Sequence, residues 1–121
     1  MDSVAALKIA LAVAQVDRQI GNDELTIFER LLSLECLDSW DSMALRALAP
    51  KPIDLDPLLD AIRDLVERQY VLALCYVMAL AGGLSPPENV AVRKIASRWG
   101  FDEKALLACR REGEKLFQQL L

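Results

Sequence analysis

The strongest constraint on the fold is an uncharged segment of 15 residues, Tyr70 to Leu84, with the sequence YVLALCYVMALAGGL. As an α-helix this segment would be roughly 22 Å long, which is shorter than the ~30 Å hydrocarbon core of a bilayer. Gly82 and Gly83, together with the two prolines that follow, would end a helix there. We therefore expect a central helix that is buried by other elements of the same domain.

The rest of the chain has apolar residues at helical spacing, and no segment shows the alternation typical of a β-strand. Apolar residues make up 54% of the 121 residues, which is enough for one buried core. We predict an all-α fold of six or seven helices in a single domain, 1–121. The predicted helices cover residues 4–16, 22–35, 39–49, 57–81 (one bent helix or two successive ones), 86–99 and 103–120.

Several helix ends are marked by capping residues. Ser85 and Glu88 have the spacing of a capping box around two prolines, which predicts the start of a helix. Gly100 has the position of a left-handed residue just after a helix, and Asp102 can cap the next helix. Asp56 before a proline predicts another N-cap.

The sequence also contains an internal echo at a shift of 64 residues, which places Leu7–Asp38 over Val71–Asp102. Few residues are identical, but the cap positions, the loop length and the apolar register coincide. Each copy comprises a buried helix, a tight loop and an amphipathic helix, followed by an Asp-capped third helix. The echo predicts two helical hairpins that pack with pseudo-twofold symmetry, each covering the apolar face of the other.

The repeated unit resembles the TerB-like family, which is named for a tellurite-resistance protein. The features that match are an Ala-rich helix, a loop similar to D-G-x-I-x-x-x-E, and an amphipathic helix that ends in an aromatic residue or Leu before Asp. In the second copy the match lies at Ala81–Glu88 and Val92–Asp102. In the first copy Asp17, Ile20 and Glu24 match the Asp, the loop hydrophobe and the helix Glu of the family.

This resemblance implies an all-helical TerB-like fold, a cytoplasmic location and a role in tellurite resistance or a related stress response. It also implies an alternative function, divalent-metal sensing through loop carboxylates, for which the candidates are Asp17, Asp23 and Glu24. Two residues depart from the family pattern, because Arg18 stands where the family has Gly and Ala81 stands where it has Asp. We therefore predict no Ca²⁺ or Mg²⁺ binding tighter than roughly millimolar.

The composition excludes most catalytic machinery, because the chain has no histidine. Triads, Cys–His pairs and the usual catalytic zinc sites all require an imidazole. The three cysteines, Cys36, Cys75 and Cys109, form no CxxC motif, and they fit a reducing compartment. An enzyme that uses paired carboxylates, Asp17 with Glu24 or Asp23, remains an alternative, although such a pair needs a buried cleft. We expect no catalytic residue, no cofactor and no small-molecule substrate.

Charge and terminal sequence bear on partners and location. The net charge of −4 argues against nucleic-acid binding, and the acidic N-terminal two-thirds disfavours direct contact with lipid. Asp2 and Lys8 argue against a secretory signal at the start of the chain, in agreement with a cytoplasmic location. A peripheral module that works beside membrane proteins is a further alternative, without membrane insertion.

The remaining class is a module that binds a protein partner or a second copy of itself. Four large apolar residues lie beyond the repeated unit, where the echo provides no packing site for them: Leu116, Phe117, Leu120 and Leu121. These residues could lie across the domain's own surface, complete a dimer or contact another partner, and we favour an intermolecular contact. The aromatic residues Trp40, Trp99 and Phe101 are instead expected to pack in the core or between the hairpins.

Overall fold

The structure, a computed structural model that describes residues 3–16 and 20–121, contains seven α-helices and no β-strand over those residues. The all-α prediction of six or seven helices is therefore confirmed. The region from residue 55 to residue 81 forms two successive helices rather than one bent helix. The helices are α1 (Ser3–Ala14), α2 (Asn22–Leu34), α3 (Ser39–Leu48), α4 (Leu55–Ala61), α5 (Leu65–Ala81), α6 (Pro86–Arg98) and α7 (Glu103–Leu120).

Helix α5 is the centre of the domain, as the uncharged segment from Tyr70 to Leu84 predicts. Every residue of Val71–Ala79 is buried, and α1, α2, α6 and α7 all pack against this helix. Helix α1 is also buried along most of its length, at Ala5–Leu7 and Ile9–Ala14. The direct packing of α1 on α5 is the contact that the internal echo predicts between its two buried helices.

Helix α7 packs against α5 at very short range, and Gly113 makes this possible. A Cβ atom at Gly113 would lie 2.7 Å from the carbonyl oxygen of Ala73 and 2.8 Å from the Cβ of Tyr76. Both distances are shorter than real Cβ contacts allow, so the backbone of α7 reaches α5 only because residue 113 has no side chain. Gly113 is thus a packing residue inside a helix, where glycine otherwise lowers stability.

The predicted caps are present, with one correction. The Ser85 hydroxyl accepts a hydrogen bond from the Glu88 backbone N–H, and the Ser85 N–H donates to the Glu88 carboxylate. Gly100 has a φ of +78° just after α6, and Asp102 caps α7. The prediction of an N-cap at Asp56 is wrong by two residues. Asp54 caps α4 instead, accepting from the Asp56 N–H at 3.3 Å, so Pro57 is the third residue of the helix and lies in its first turn.

The two copies of the internal echo keep the same register in the structure. Helix α2 begins at Asn22 and α6 begins at Pro86, a shift of 64 residues, and their C-terminal ends keep the same shift. The N-caps of α3 and α7, Asp38 and Asp102, are separated by the same interval. The copies then differ, because α3 has 10 residues and α7 has 18.

Candidate protein-interaction surface

Helix α3 is held against the domain by its inner side. Leu45 is fully buried and Leu48 packs against the core. At the end of α3 the Gln15 side-chain amide donates to the carbonyl oxygens of Leu48, Ala49 and Lys51, at 2.7–3.0 Å. These carbonyls have no partner within the helix, so Gln15 fixes the C-terminal end of α3 to the end of α1.

The outer side of α3 presents an apolar stripe to solvent. Trp40 is 81% exposed and Met43 is 60% exposed, and Ala44 and Ala47 are exposed beside them. These four residues, here called the α3 face, have the i, i+3, i+4, i+7 spacing of one helix side. The prediction that Trp40 packs in the core or between the hairpins is wrong, because Leu45 and Leu48 already fill the inner side.

The other tryptophan lies where it was expected. Trp99 is only 9% exposed, and its indole N–H donates to the carbonyl oxygen of Leu59 at 3.2 Å. The guanidinium of Arg68 stacks over its ring, 5.2 Å from the centroid. Trp99 thereby joins α6 to α4 and to the start of α5.

A groove of about 510 Å³ lies between α4 and α6, and Val16, which follows α1, also lines it. Leu59 and Ile95 are its buried apolar residues, and Val16 and Val90 are 43% and 50% exposed. Its volume is within the range of ordinary ligand clefts. The residues that line this feature, here called the α4–α6 groove, are Val16, Leu55, Asp56, Leu59, Pro87, Val90, Ala91, Lys94, Ile95 and Arg98.

The charges of the groove are divided between paired and unpaired groups. Arg98 donates to Asp56 at 2.7 Å and to Asp60 at 2.8 Å, and these two ion pairs join α6 to α4. The two carboxylates raise the pKa of Arg98, mainly through the hydrogen bond with Asp60. Lys94 is exposed and forms no ion pair with any residue in 3–16 or 20–121. The groove therefore has one basic group available to a ligand.

The C-terminal end of α7 is more enclosed than the sequence predicts. Leu116, Phe117 and Leu120 pack, partly buried, against the core, whereas Leu121 is 65% exposed. The Arg30 side chain of α2 donates to the carbonyl oxygens of Leu120 and Leu121. The expectation that this end has no packing site in the domain is wrong for three of the four residues. Their contact with a partner stays a prediction.

Two of the metal candidates, Asp23 and Glu24, line an open cleft between the start of α2 and the end of α5. Asp17 lies outside the described residues. Glu24 accepts a hydrogen bond from the Gly21 N–H at 3.3 Å and lies so close to Gly82 that a Cβ there would be 2.9 Å from its carboxyl carbon. Asp23 is exposed. Glu24 is thus a capping and packing residue, and the residues in 3–16 and 20–121 form no cluster of three or more metal-ligand side chains.

The alternative of a carboxylate-based enzyme requires a buried pair of carboxyl groups. The cleft beside Asp23 and Glu24 is open to solvent and shares its lining with the glycine-rich end of α5. The cleft therefore does not bury both carboxyl groups, since Asp23 is exposed. Asp17 belongs to both of the predicted pairs, with Glu24 and with Asp23, and it is not among the described residues.

Two of the cysteines are located on the packed helices α5 and α7. Burial raises the pKa of the Cys75 thiol, and Cys109 beside it adds to the effect. Burial also raises the pKa of Cys109. A thiol with a raised pKa is a poor nucleophile, so these side chains act as small hydrophobic residues. Cys36 is exposed at the end of α2.

A polar contact joins the start of α1, the end of α2 and the N-terminal half of α5. The Tyr70 hydroxyl and the Ser3 hydroxyl both donate to the carboxylate of Glu35. Burial, followed by the hydrogen bond to Glu35, raises the pKa of Tyr70, so the phenol remains protonated and continues to donate. This cluster has a structural role, because each of its members already has a partner.

Comparison of the chain with family models, with curated proteins and with solved structures gave no match. Among residues 3–16 and 20–121, no helix combines the length and the apolar character needed to cross a bilayer.

The α3 face and the α4–α6 groove were both missed at the level of sequence. The spacing of Trp40, Met43, Ala44 and Ala47 is visible in the sequence, and it identifies one side of a helix. It does not identify that side as the exposed one, since Met43 and Leu45 are both apolar and lie on different sides of α3. The groove combines residues from three parts of the chain, and no local pattern predicts it.

Proposed function

We propose that this chain is a non-enzymatic helical module that acts through protein–protein contacts, and that the α3 face is its principal contact surface. The observation that carries the proposal is the exposure of Trp40 beside Met43 on a helix whose inner side is already packed. Trp and Met are enriched in protein interfaces, and Trp is among the residues that contribute most to binding when it becomes buried.

The α3 face leaves a large apolar area exposed to water. Burying a large apolar side chain contributes about 1.5–3 kcal/mol, and Trp40 gains almost none of this in the isolated chain because it is 81% exposed. A partner that covers Trp40 and Met43 would gain that free energy. The four-residue stripe also matches helix-in-groove recognition, in which one helix side provides the anchors.

The absence of histidine supports a role without catalysis. The resemblance to TerB-like proteins supports a cytoplasmic role in tellurite resistance or a related stress response. The C-terminal end offers less apolar area for a partner than the α3 face, because only Leu121 among its four apolar residues is largely exposed.

The test is affinity capture from cells of the native host with three forms of the protein: wild type, Trp40→Ala and Leu107→Ala. Leu107 is 46% exposed on α7, away from the α3 face, and provides the matched control. We expect Trp40→Ala to lose the proteins that wild type and Leu107→Ala retain. If all three forms capture the same proteins in equal amounts, the α3 face is not the contact surface.

A further inference from the structure

We propose that the protein associates head to tail with itself, with the α3 face of one copy seated in the α4–α6 groove of the next copy. This inference rests on the proposed function, since it identifies the partner of the α3 face as a second copy of the chain. Three properties of the two surfaces carry it: their shapes, their charges and their separate locations.

The shapes are those of a ridge and a groove. The α3 face is a helix side with one large aromatic residue, one long flexible residue and two alanines that let a neighbouring surface approach closely. The α4–α6 groove is formed by two helices with an apolar lining, and its volume is about 510 Å³. A helix side laid in such a groove is a common mode of recognition, with anchors at i, i+3, i+4 and i+7.

The charges at the two surfaces are complementary. Asp38 and Asp41 flank Trp40 at the N-terminal end of α3, whereas Lys94 stands at the groove without an ion partner among the described residues. Arg98 is already paired with Asp56 and Asp60, so the complementary charge of the groove is that of Lys94. Opposite charges across an interface select the partner and its orientation, and here they place the start of α3 beside Lys94.

The two surfaces share no residue, so the contact would be heterologous. Joining the α3 face of one copy to the groove of a second leaves a free groove on the first and a free α3 face on the second. Association of this kind continues beyond two copies unless the rotation closes a ring. An isologous dimer, by contrast, would use one surface twice and stop at two copies.

The experiment is sedimentation velocity on the full chain from about 10 µM to about 1 mM, the range that detects weak to moderate affinities. We expect the wild-type sedimentation coefficient to increase with concentration. Trp40→Ala removes the ridge anchor and Val90→Asp places a charge in the groove, so each variant alone should remain monomeric. Both positions are at least half exposed, and circular dichroism checks that each variant is folded.

Mixing the two variants provides the decisive observation. Trp40→Ala retains an intact groove and Val90→Asp retains an intact α3 face, so together they should form a complex of one copy each that grows no further. A wild type that stays monomeric at the highest concentration overturns the inference, as does a mixture that stays monomeric. If Val90→Asp associates as the wild type does, the groove is not the docking site.

A charge exchange tests the orientation. Lys94→Glu should weaken self-association about tenfold, and adding Asp41→Lys to the same chain should restore most of it, because the two positions meet between copies. Failure of the second substitution to restore association contradicts the proposed placement of α3.

The outcomes of these experiments distinguish the self-association from the proposed function. A monomeric wild type that still captures another protein through Trp40 overturns only the self-association, whereas capture that does not depend on Trp40 overturns the proposed function.

Discussion

The α3 face and the C-terminal end of α7 contain the same kind of residues but have opposite environments. Both are short apolar stretches at the end of corresponding units of the repeat. The α3 face leaves Trp40 and Met43 exposed, whereas α7 packs Leu116, Phe117 and Leu120 against the core. The cause is the neighbouring structure: α5 and α2 both contact α7, and nothing in the described chain covers the outer side of α3.

The two copies of the internal echo thus keep the same register up to the start of the third helix and differ in the length and packing of that helix. The caps at Asp38 and Asp102 start both third helices at corresponding places. After that point α7 can approach α5 closely because Gly113 provides room, and its additional length adds contacts to the body of the domain. Helix α3 is shorter and ends where Gln15 binds its last carbonyls, so it stays at the surface.

The largest expected effect separates the two tryptophans. Trp99→Ala should lower the free energy of unfolding by about 3–5 kcal/mol, the usual loss for a buried aromatic residue. Trp40→Ala should change it by no more than about 0.5 kcal/mol, as is usual at the surface. Urea unfolding followed by far-ultraviolet circular dichroism measures both without using tryptophan as the probe. Equal losses for the two variants would mean that Trp40 is packed and that the α3 face is not free.

The next effect tests the close approach of α7 to α5. Gly113→Ala places a Cβ 2.7 Å from a backbone oxygen of α5, which should cost about 1–3 kcal/mol as overpacking. The higher helix propensity of alanine offsets up to about 1 kcal/mol of this loss. We expect a net decrease of about 1–2 kcal/mol in the free energy of unfolding. Gln118→Ala, at an exposed position of the same helix, is the control and should leave stability nearly unchanged. A stabilised Gly113→Ala would contradict the packing.

A matched pair at the end of α7 measures how firmly that end is packed. Leu120 packs against the core and Leu121 is 65% exposed, so one residue type is tested at two neighbouring positions. Leu120→Ala should cost about 1–2 kcal/mol, part of the 2–5 kcal/mol for a fully buried leucine. Leu121→Ala should stay within about 0.5 kcal/mol. Thermal unfolding resolves the difference. Two small, equal effects would mean that Leu120 is not firmly packed and would favour the predicted partner contact at this end.

Sequence reasoning was accurate where local chemistry decides the structure. The uncharged run predicted the buried α5, the capping box at Ser85 placed the start of α6, and the shift of 64 residues predicted the packing of α1 on α5. Each of these depends on residues that are close in sequence or repeated at a fixed interval.

The errors arose where the outcome depends on distant residues. The frequent burial of large aromatic residues predicts a core position for Trp40, but the side of α3 that faces inward depends on its packing against α1, which is distant in sequence. The end of α7 was judged surplus by comparison with the shorter α3, but α2 supplies Arg30 to bind its last carbonyls. The α4–α6 groove could not be predicted at all, because its lining residues come together only through the fold.

The smallest expected effect concerns how the two regions respond to acid. The Arg46 side chain of α3 donates to the Glu29 carboxylate of α2, with two bonds of 2.7 Å, and this hydrogen bonding lowers the pKa of Glu29. A carboxyl whose pKa is lowered by folding contributes stability above its ordinary pKa, near 4.5, and that contribution is lost as the pH falls through the lower folded value. At the end of α7, Arg30 donates to the carbonyl oxygen of Leu120, which does not titrate, so this contact should not weaken in acid as the Arg46–Glu29 pair does. Because both partners are about half exposed, Glu29→Gln should lower the melting temperature by only roughly 1–3 °C at pH 7, and the difference from wild type should shrink as the pH falls below 4.5. Glu112→Gln, at an exposed position of α7, is the control. A difference that persists at pH 3 would show that Glu29 supports α3 through packing rather than through its charge.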